Sequence, residues 1–207
     1  ADPGGRGGDW FRFARALFAA GFRPGDIVHN GFSYHFTPAG LMCDAAARHL
    51  GCAVFPGGVG QSEAQVQAIA YFRADGFVGT PDFLKIILEK AGEMGADISC
   101  LKRALVGGGA LPPSLRQTIK TLGVDVLQSY GTADLGLVAY ESEALDGMLV
   151  DEGVIVEIVR PGTGDPVPEG EVGEVVVTAM NPDYPLIRFA TGDLSAMLAG
   201  QSPCGRT

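Results

Sequence analysis

The sequence predicts an α/β fold: a largely parallel sheet flanked by helices, followed by a small antiparallel β-rich C-terminal subdomain. Two patterns carry this. From Asp9 to about residue 145, helical and strand-like runs alternate and are punctuated by caps and glycines, as a layered α/β sheet requires. After about residue 145 the apolar runs are strand-like and helical periodicity does not return. With 46% hydrophobic and 19% charged residues over 207 positions, the chain has enough apolar surface for a packed core.

The elements follow in order. Asp9 is placed to cap a helix over "WFRFARALFAA" that stops at Gly21, and "DIVHN" reads as a strand. Thr37-Pro38 is a cap and first-turn signal for "PAGLMCDAAARHL", which ends at Gly51 before the strand "CAVF". Ser62 and Gln65 have capping-box spacing ahead of "AQVQAIAYFR". "GFVG" is a strand, and Thr80-Pro81 opens the helix "DFLKIILEKAGEM". "RALVG", the helix "PPSLRQTIKTL" closed by Gly123, and the strand "VDVLQ" complete the alternating part. "GVIVEIVRP" and "EVGEVVVTAM" then form a strand pair joined by the turn-rich "GTGDPVPEG", with "LIRFAT" as a further strand. The expected organisation is a flexible lead over 1–8, an α/β subdomain over 9–146, and a β-rich subdomain over 147–207.

Charge and cysteine usage narrow the function. A formal net charge of −9 gives no general attraction for a phosphate backbone, so nucleic acid is not an expected partner. No apolar run reaches the length of a membrane-spanning helix and no signal-peptide pattern opens the chain. A soluble cytoplasmic protein without membrane contact is expected. Cys43, Cys52, Cys100 and Cys204 form no CxxC pair and share no zinc spacing with His29, His35 or His49, so they read as reduced structural thiols.

Several motifs are absent: GxxxxGK[ST], HExxH, and GxGxxG after a strand. "GFSYH" lacks the second glycine of a nucleophile elbow, because His35 occupies that position. Three segments remain. In "LVGGGALPPSL" the glycines follow a strand and permit close backbone approach to a ligand, or simply form a loop before a Pro-started helix. In "SYGTADLG", at the end of the next strand, Ser129 and Thr132 offer hydroxyls, Tyr130 a stacking face and Asp134 a hard oxygen ligand suited to Mg²⁺. In "RFATGDL", Asp193 could accept from a ribose diol or close an Asx-type turn. Strand C-termini in open α/β sheets are where ligands bind. In "GFSYHF", Phe32, Tyr34 and Phe36 alternate as in a strand, serving either the core or a substrate pocket.

In this order, "GGGALP", "SYGTADLG" and "RFATGDL" resemble the motifs of the adenylate-forming acyl-CoA synthetase superfamily. "GTPDFL", the segment "DEGVIVEIVRPGTGDPVPEGEVGEVVVT" and "PCGRT" resemble its phenylacetate-CoA ligase branch, from Asp9 to Thr207. The resemblance implies a ligase that joins ATP and an aromatic, phenylacetate-like carboxylic acid into an acyl-adenylate, then passes the acyl group to coenzyme A with release of AMP. It implies that Gly108, Gly109 and Ala110 border the adenine, that Tyr130 packs on it beside Ser129, Gly131 and Thr132, that Asp193 takes the ribose hydroxyls, and that Asp134 holds Mg²⁺. It places Phe32, Tyr34 and Phe36 near the acyl pocket and suggests a homodimer.

The sequence departs from that pattern at specific points. Ala133 stands where a hydroxyl residue is usual, and Asp134 is one methylene shorter than the family's glutamate. Ser142, Met148 and Ser202 occupy positions where some relatives carry apparent zinc ligands, so no zinc is expected. The expected phosphate loop is not present upstream of the first helix unless "GGRGG" is its remnant, and no lysine sits in the context of the C-terminal catalytic lysine. No catalytic residue is therefore assigned, and this segment alone is expected to be inactive. The alternatives are a degenerate nucleotide-binding module, or an adenylating enzyme for another carboxylate or acceptor.

Overall fold

The computed structural model describes residues 8–205; the expected lead before Gly8, and Arg206 and Thr207, lie outside the described residues. Helix α1 spans Phe13–Ala19, α2 Ala39–His49, α3 Ser62–Phe72, α4 Pro81–Met94 and α5 Pro113–Thr121. The strands between them are β1 (Ile27–Asn30), β2 (Ala53–Pro56), β3 (Gly76–Gly79), β4 (Arg103–Val106) and β5 (Asp125–Thr132). Strands β6 (Gly136–Glu141), β7 (Met148–Val150), β8 (Ile155–Val159), β9 (Gly173–Ala179) and β10 (Leu186–Ser195) follow with no further helix among the described residues.

Seven strands form one sheet in the order β2-β1-β3-β4-β5-β6-β7. The pairs among β1 to β5 are parallel, and β5–β6 and β6–β7 are antiparallel. Parallel strands joined by helices need both faces covered, and two apolar clusters supply this. Phe13, Leu17, Phe22, Met42 and Ala46 pack with α1 and α2 on one side, and Val66, Ile69, Leu84, Ile87 and Ile119 with α3, α4 and α5 on the other. The second sheet, in the order β10-β9-β8, is antiparallel and meets the first through Leu135, Val138, Val154, Ile158 and Val177. Because β7 pairs with β6, the change of sheet falls between Val150 and Ile155, a few residues beyond position 146. No helix among the described residues is long and apolar enough to cross a membrane.

Four local expectations are corrected. Helix α1 begins at Phe13, not Trp10, and Arg12 precedes it in a left-handed conformation (φ 67°); Asp9 still accepts a hydrogen bond from the Ala14 amide at 2.7 Å. Gln65 does not form a capping box. It is buried, with Oε1 2.6 Å from His29 Nε2 and Nε2 donating to the carbonyls of Gly58 and Gly60. Phe32 to Phe36 form bends rather than a strand, so the alternation of their side chains does not hold. Most consequentially, β5 does not break after Gln128. Its first half pairs in parallel with β4 and its second half, Ser129–Thr132, pairs antiparallel with β6. The polar cluster is ladder backbone with a new partner, not a turn.

Candidate functional site

The hairpin β5–β6 is the centre of the site. Its turn is Ala133–Leu135, closed by Gly136 at φ 75° and by the Leu135 amide, which donates to Thr132 Oγ1 at 3.1 Å. Gly131 is needed here for close approach. A Cβ at this position would lie 2.6 Å from the Gly136 carbonyl oxygen and 2.9 Å from Phe13. Alternation along the strand turns Tyr130 away from Ser129 and Gly131, the ladder is irregular between Tyr130 and Gly131, and Asp134 lies in the turn, so the hairpin contributes to three cavities.

The first cavity, about 190 Å³, is lined by Phe32, Met42, Cys43, Gly107, Gly108, Ser129, Gly131, Thr132 and Ala133, with Phe13, Thr37, Pro38 and Ala39. It joins parts of three predicted segments: the glycine loop, the β5 end and Phe32. Ser129 is buried and its hydroxyl donates to the Val106 carbonyl at 3.4 Å, tying β5 to the start of the glycine loop. Gly107 allows the fit, since a Cβ there would sit 2.9 Å from the Ser129 carbonyl oxygen. Burial pushes the Cys43 thiol up to about 12, so it presents a neutral, weakly polar surface.

The second cavity is a cleft of about 750 Å³ between the two sheets, lined by Gln128, Tyr130, Val138, Met148, Val150, Ile158, Val175, Asp193 and residues 194–202 among others. Here the hydroxyl of Tyr130 on β5 donates to Asp193 Oδ2 on β10 at 2.6 Å. Burial, and then the carboxylate, push the Tyr130 phenol up to about 12. It stays protonated at neutral pH and is the donor of this bond. Asp193 follows Gly192 (φ 79°) at an irregularity in the β9–β10 ladder. Its amide donates to Thr191 Oγ1, which in turn donates to the Val175 carbonyl. The carboxylate thus reaches across to the other sheet rather than closing an Asx turn.

Asp134, in the hairpin turn, is exposed and lines a third cavity of about 180 Å³ with Trp10, Arg12, Leu135, Asn181 and Tyr184. Among the described residues no group of three or more His, Cys, Asp or Glu is placed to hold a metal ion. One free carboxylate does fit Mg²⁺, which is commonly bound by one or two carboxylates together with water and substrate phosphates.

The predicted residues therefore separate. Phe32, Gly108, Ser129, Gly131 and Thr132 share one cavity, Tyr130 and Asp193 another, and Asp134 a third. Gly109 and Ala110 are exposed on the loop beyond Gly108. Tyr34 is held by Asn30 Nδ2 (2.8 Å) and donates to Asp44 (2.9 Å), while Phe36 is fully exposed in a left-handed conformation; neither lines the small cavity. Sequence reasoning missed Met42, Cys43 and Thr191, and took Gly107 only as one of the loop glycines. Met42 and Cys43 were visible only as part of the apolar stripe of α2, which gives no sign that one edge of it faces a cavity.

Comparison with known proteins identifies the family and the fold. The family described as AMP-binding enzyme matches residues 13–181. The phenylacetate-coenzyme A ligase of Pseudomonas putida is 35% identical over 195 residues, covering 90% of this chain and 44% of that protein. That of Thermus thermophilus is 32% identical, covering 94% and 45%. A crystal structure of 2-hydroxyisobutyryl-CoA ligase in an open conformation, with 2-HIB-AMP and CoA, superposes with a TM-score of 0.87 at 28% identity, over 94% of this chain and 45% of that one. The chain spans less than half the length of these relatives. With its ordered motifs on a shared fold, the chain belongs to the AMP-binding enzyme family, and phenylacetate-CoA ligases are among its relatives.

Proposed function

We propose that this chain is the central part of an AMP-forming ligase that activates an aromatic, phenylacetate-like carboxylic acid with ATP and transfers it to coenzyme A. The observation that carries the reading is the small cavity, where the glycine loop, the β5 end and Phe32 meet around a space of about 190 Å³. Its walls of Phe13, Phe32, Pro38, Met42 and Cys43 are apolar and suit an aryl group. Thr132, whose oxygen already accepts from the Leu135 amide, keeps its proton to donate toward a carboxylate or phosphate oxygen.

In the first step a substrate carboxylate oxygen bonds to the α-phosphorus of ATP as the bond to the β-phosphate bridging oxygen breaks, releasing pyrophosphate. In the second, the thiol sulfur of coenzyme A, its proton lost to solvent, bonds to the acyl carbon as the bond from that carbon to the phosphate oxygen breaks and AMP leaves. Neither step needs a protein nucleophile; both need positioning and neutralisation of charge. Asp193 is the acceptor for the ribose hydroxyls, Tyr130 the aromatic surface beside the base, and Gly108 to Ala110 the backbone border. Asp134 would hold Mg²⁺, which when bound neutralises phosphate charge.

The test is exchange of labelled pyrophosphate into ATP by the full-length protein that carries this segment, with phenylacetate as the acid. Exchange dependent on the aryl acid is expected, and absence of exchange with every carboxylate offered overturns the reading. The isolated segment is expected to bind AMP without completing the reaction.

A further inference from the structure

The bond between Tyr130 and Asp193 joins two sheets through residues 63 positions apart. Tyr130 sits on β5 within the seven-stranded sheet, and Asp193 on β10 within the three-stranded one. Both line the 750 Å³ cleft. Asp193 itself is exposed and follows a left-handed glycine, so its own strand does little to fix the carboxylate. What fixes it is the phenol. One oxygen, Oδ2, is taken by Tyr130, and Oδ1 is left to accept from a ligand.

From this geometry we infer that the Tyr130 hydroxyl is a positioning group. It holds the Asp193 carboxylate across the cleft in the orientation that receives a ribose diol, and so makes the site prefer ribonucleotides to deoxynucleotides. This rests on the nucleotide reading of the same cleft. The chemistry is that of a preorganised acceptor. A carboxylate already held by one hydrogen bond loses less rotational freedom when a ligand hydroxyl binds the other oxygen. A site that aims an acceptor at a hydroxyl discriminates against the analogue that lacks it, because the acceptor is then left unpaired. The role of the hydroxyl is separable from that of the ring, which Tyr130→Phe retains.

The experiment measures binding of AMP, 2′-deoxy-AMP and 3′-deoxy-AMP to the whole chain by calorimetry, for the parent, Tyr130→Phe, Asp193→Asn and the double variant. The parent is expected to prefer AMP. Tyr130→Phe should lose about tenfold in AMP affinity, the scale of one hydrogen bond to a charged group, with little change for the deoxy analogue that lacks the accepted hydroxyl. The ribo-to-deoxy ratio should collapse toward that of Asp193→Asn, and the double variant should lose no more than Asp193→Asn alone. An unchanged ratio in Tyr130→Phe, or strictly additive losses in the double variant, overturns the positioning role while leaving the nucleotide site standing. Failure of the parent chain to bind AMP overturns both. Asp193→Asn lies at an exposed position, so it supplies the comparison even if the tyrosine variant folds poorly.

Discussion

Arg12 and Asp151 are locked together at a point where three elements meet. The Arg12 Nε donates to Asp151 Oδ2 at 2.5 Å, and Arg12 Nη2 donates to the carbonyls of Leu135 and Leu137, each at 2.9 Å. The pair thus ties the start of α1 to the β5–β6 hairpin and to the end of β7. It also holds the residue directly after Asp134. Asp151 is buried and Arg12 carries a left-handed backbone, a conformation that L-residues adopt at a cost. That cost is offset only while the guanidinium has its partners.

Replacing Asp151 with Asn should therefore destabilise the chain by about 2–3 kcal/mol, less than for a fully buried pair because Arg12 is partly exposed. Urea unfolding gives the value. Hydrogen exchange should show the added opening first in the amides of residues 133–137. A loss spread evenly over the chain, with no preference for the hairpin, would count against the clamp.

Gly131→Ala should be more damaging than its single methyl suggests. The added Cβ would meet the Gly136 carbonyl oxygen at 2.6 Å and Phe13 at 2.9 Å, and neither the ladder nor the helix can yield cheaply. Overpacking of this kind costs about 1–3 kcal/mol. The expected readout is a lowered denaturation midpoint together with weakened AMP binding, since the cavity wall shifts with the hairpin. Gly123→Ala is a control of a different kind: its φ of 95° opposes the substitution, as the backbone at Gly131 does not, but no atom lies within 4 Å of the added Cβ. Its cost should appear in stability and leave ligand binding alone.

The layering was legible in the sequence because its signals are local. Thr80 before Pro81 caps α4 as the sequence indicates, with its hydroxyl accepting from the Phe83 amide, and Gly95 ends the helix in a left-handed conformation. The motif order was legible too, since strand ends next to one another in a parallel sheet are separated by a predictable helix. What stayed hidden depended on partners distant in sequence. Gln65 matches a capping box locally, yet its amide is taken by His29, 36 residues away, and by carbonyls of the loop after β2. The β5 end looks like a turn until β6 folds back to pair with it. No local pattern indicates that Tyr130 and Asp193 touch, or that consecutive residues of one motif open into different cavities.

Phe32 offers a direct test of the acyl assignment. It lines the small cavity and is only partly buried, so truncation should widen the space without collapsing the core. Phe32→Ala in the full-length protein should shift pyrophosphate exchange from phenylacetate toward a bulkier acid such as naphthylacetate. A change of about tenfold in relative rate is the scale expected for apolar pocket contacts. An unaltered acid preference would move the acyl group out of this cavity.

His29 gives the fold a defined response to pH. Its ring is fully buried, stacked near Phe55 (centroids 5.2 Å apart) and Phe77 (6.1 Å). Nε2 donates to Gln65 Oε1, so Nδ1 is the unprotonated nitrogen, and it has no hydrogen-bond partner among the described residues. Burial lowers the imidazole below its ordinary value of 6.5, with the Gln65 bond opposing this in part. The folded chain therefore keeps His29 neutral at a pH where the unfolded chain already binds a proton. Stability contributed in this way is complete above pH 6.5 and declines as pH falls below it, by up to about 1.4 kcal/mol per pH unit, until the lowered folded value is reached. Asp9, whose carboxyl is raised by burial, works in the opposite sense, so the two must be separated. His29→Phe keeps an aromatic ring between its neighbours and removes the titration. Urea midpoints measured from pH 8 to pH 5 should fall for the parent below pH 6.5 and fall less steeply for His29→Phe, although the variant leaves Gln65 Oε1 without its donor and starts from a lower stability. Parallel pH profiles for the two proteins would show that His29 titrates alike folded and unfolded.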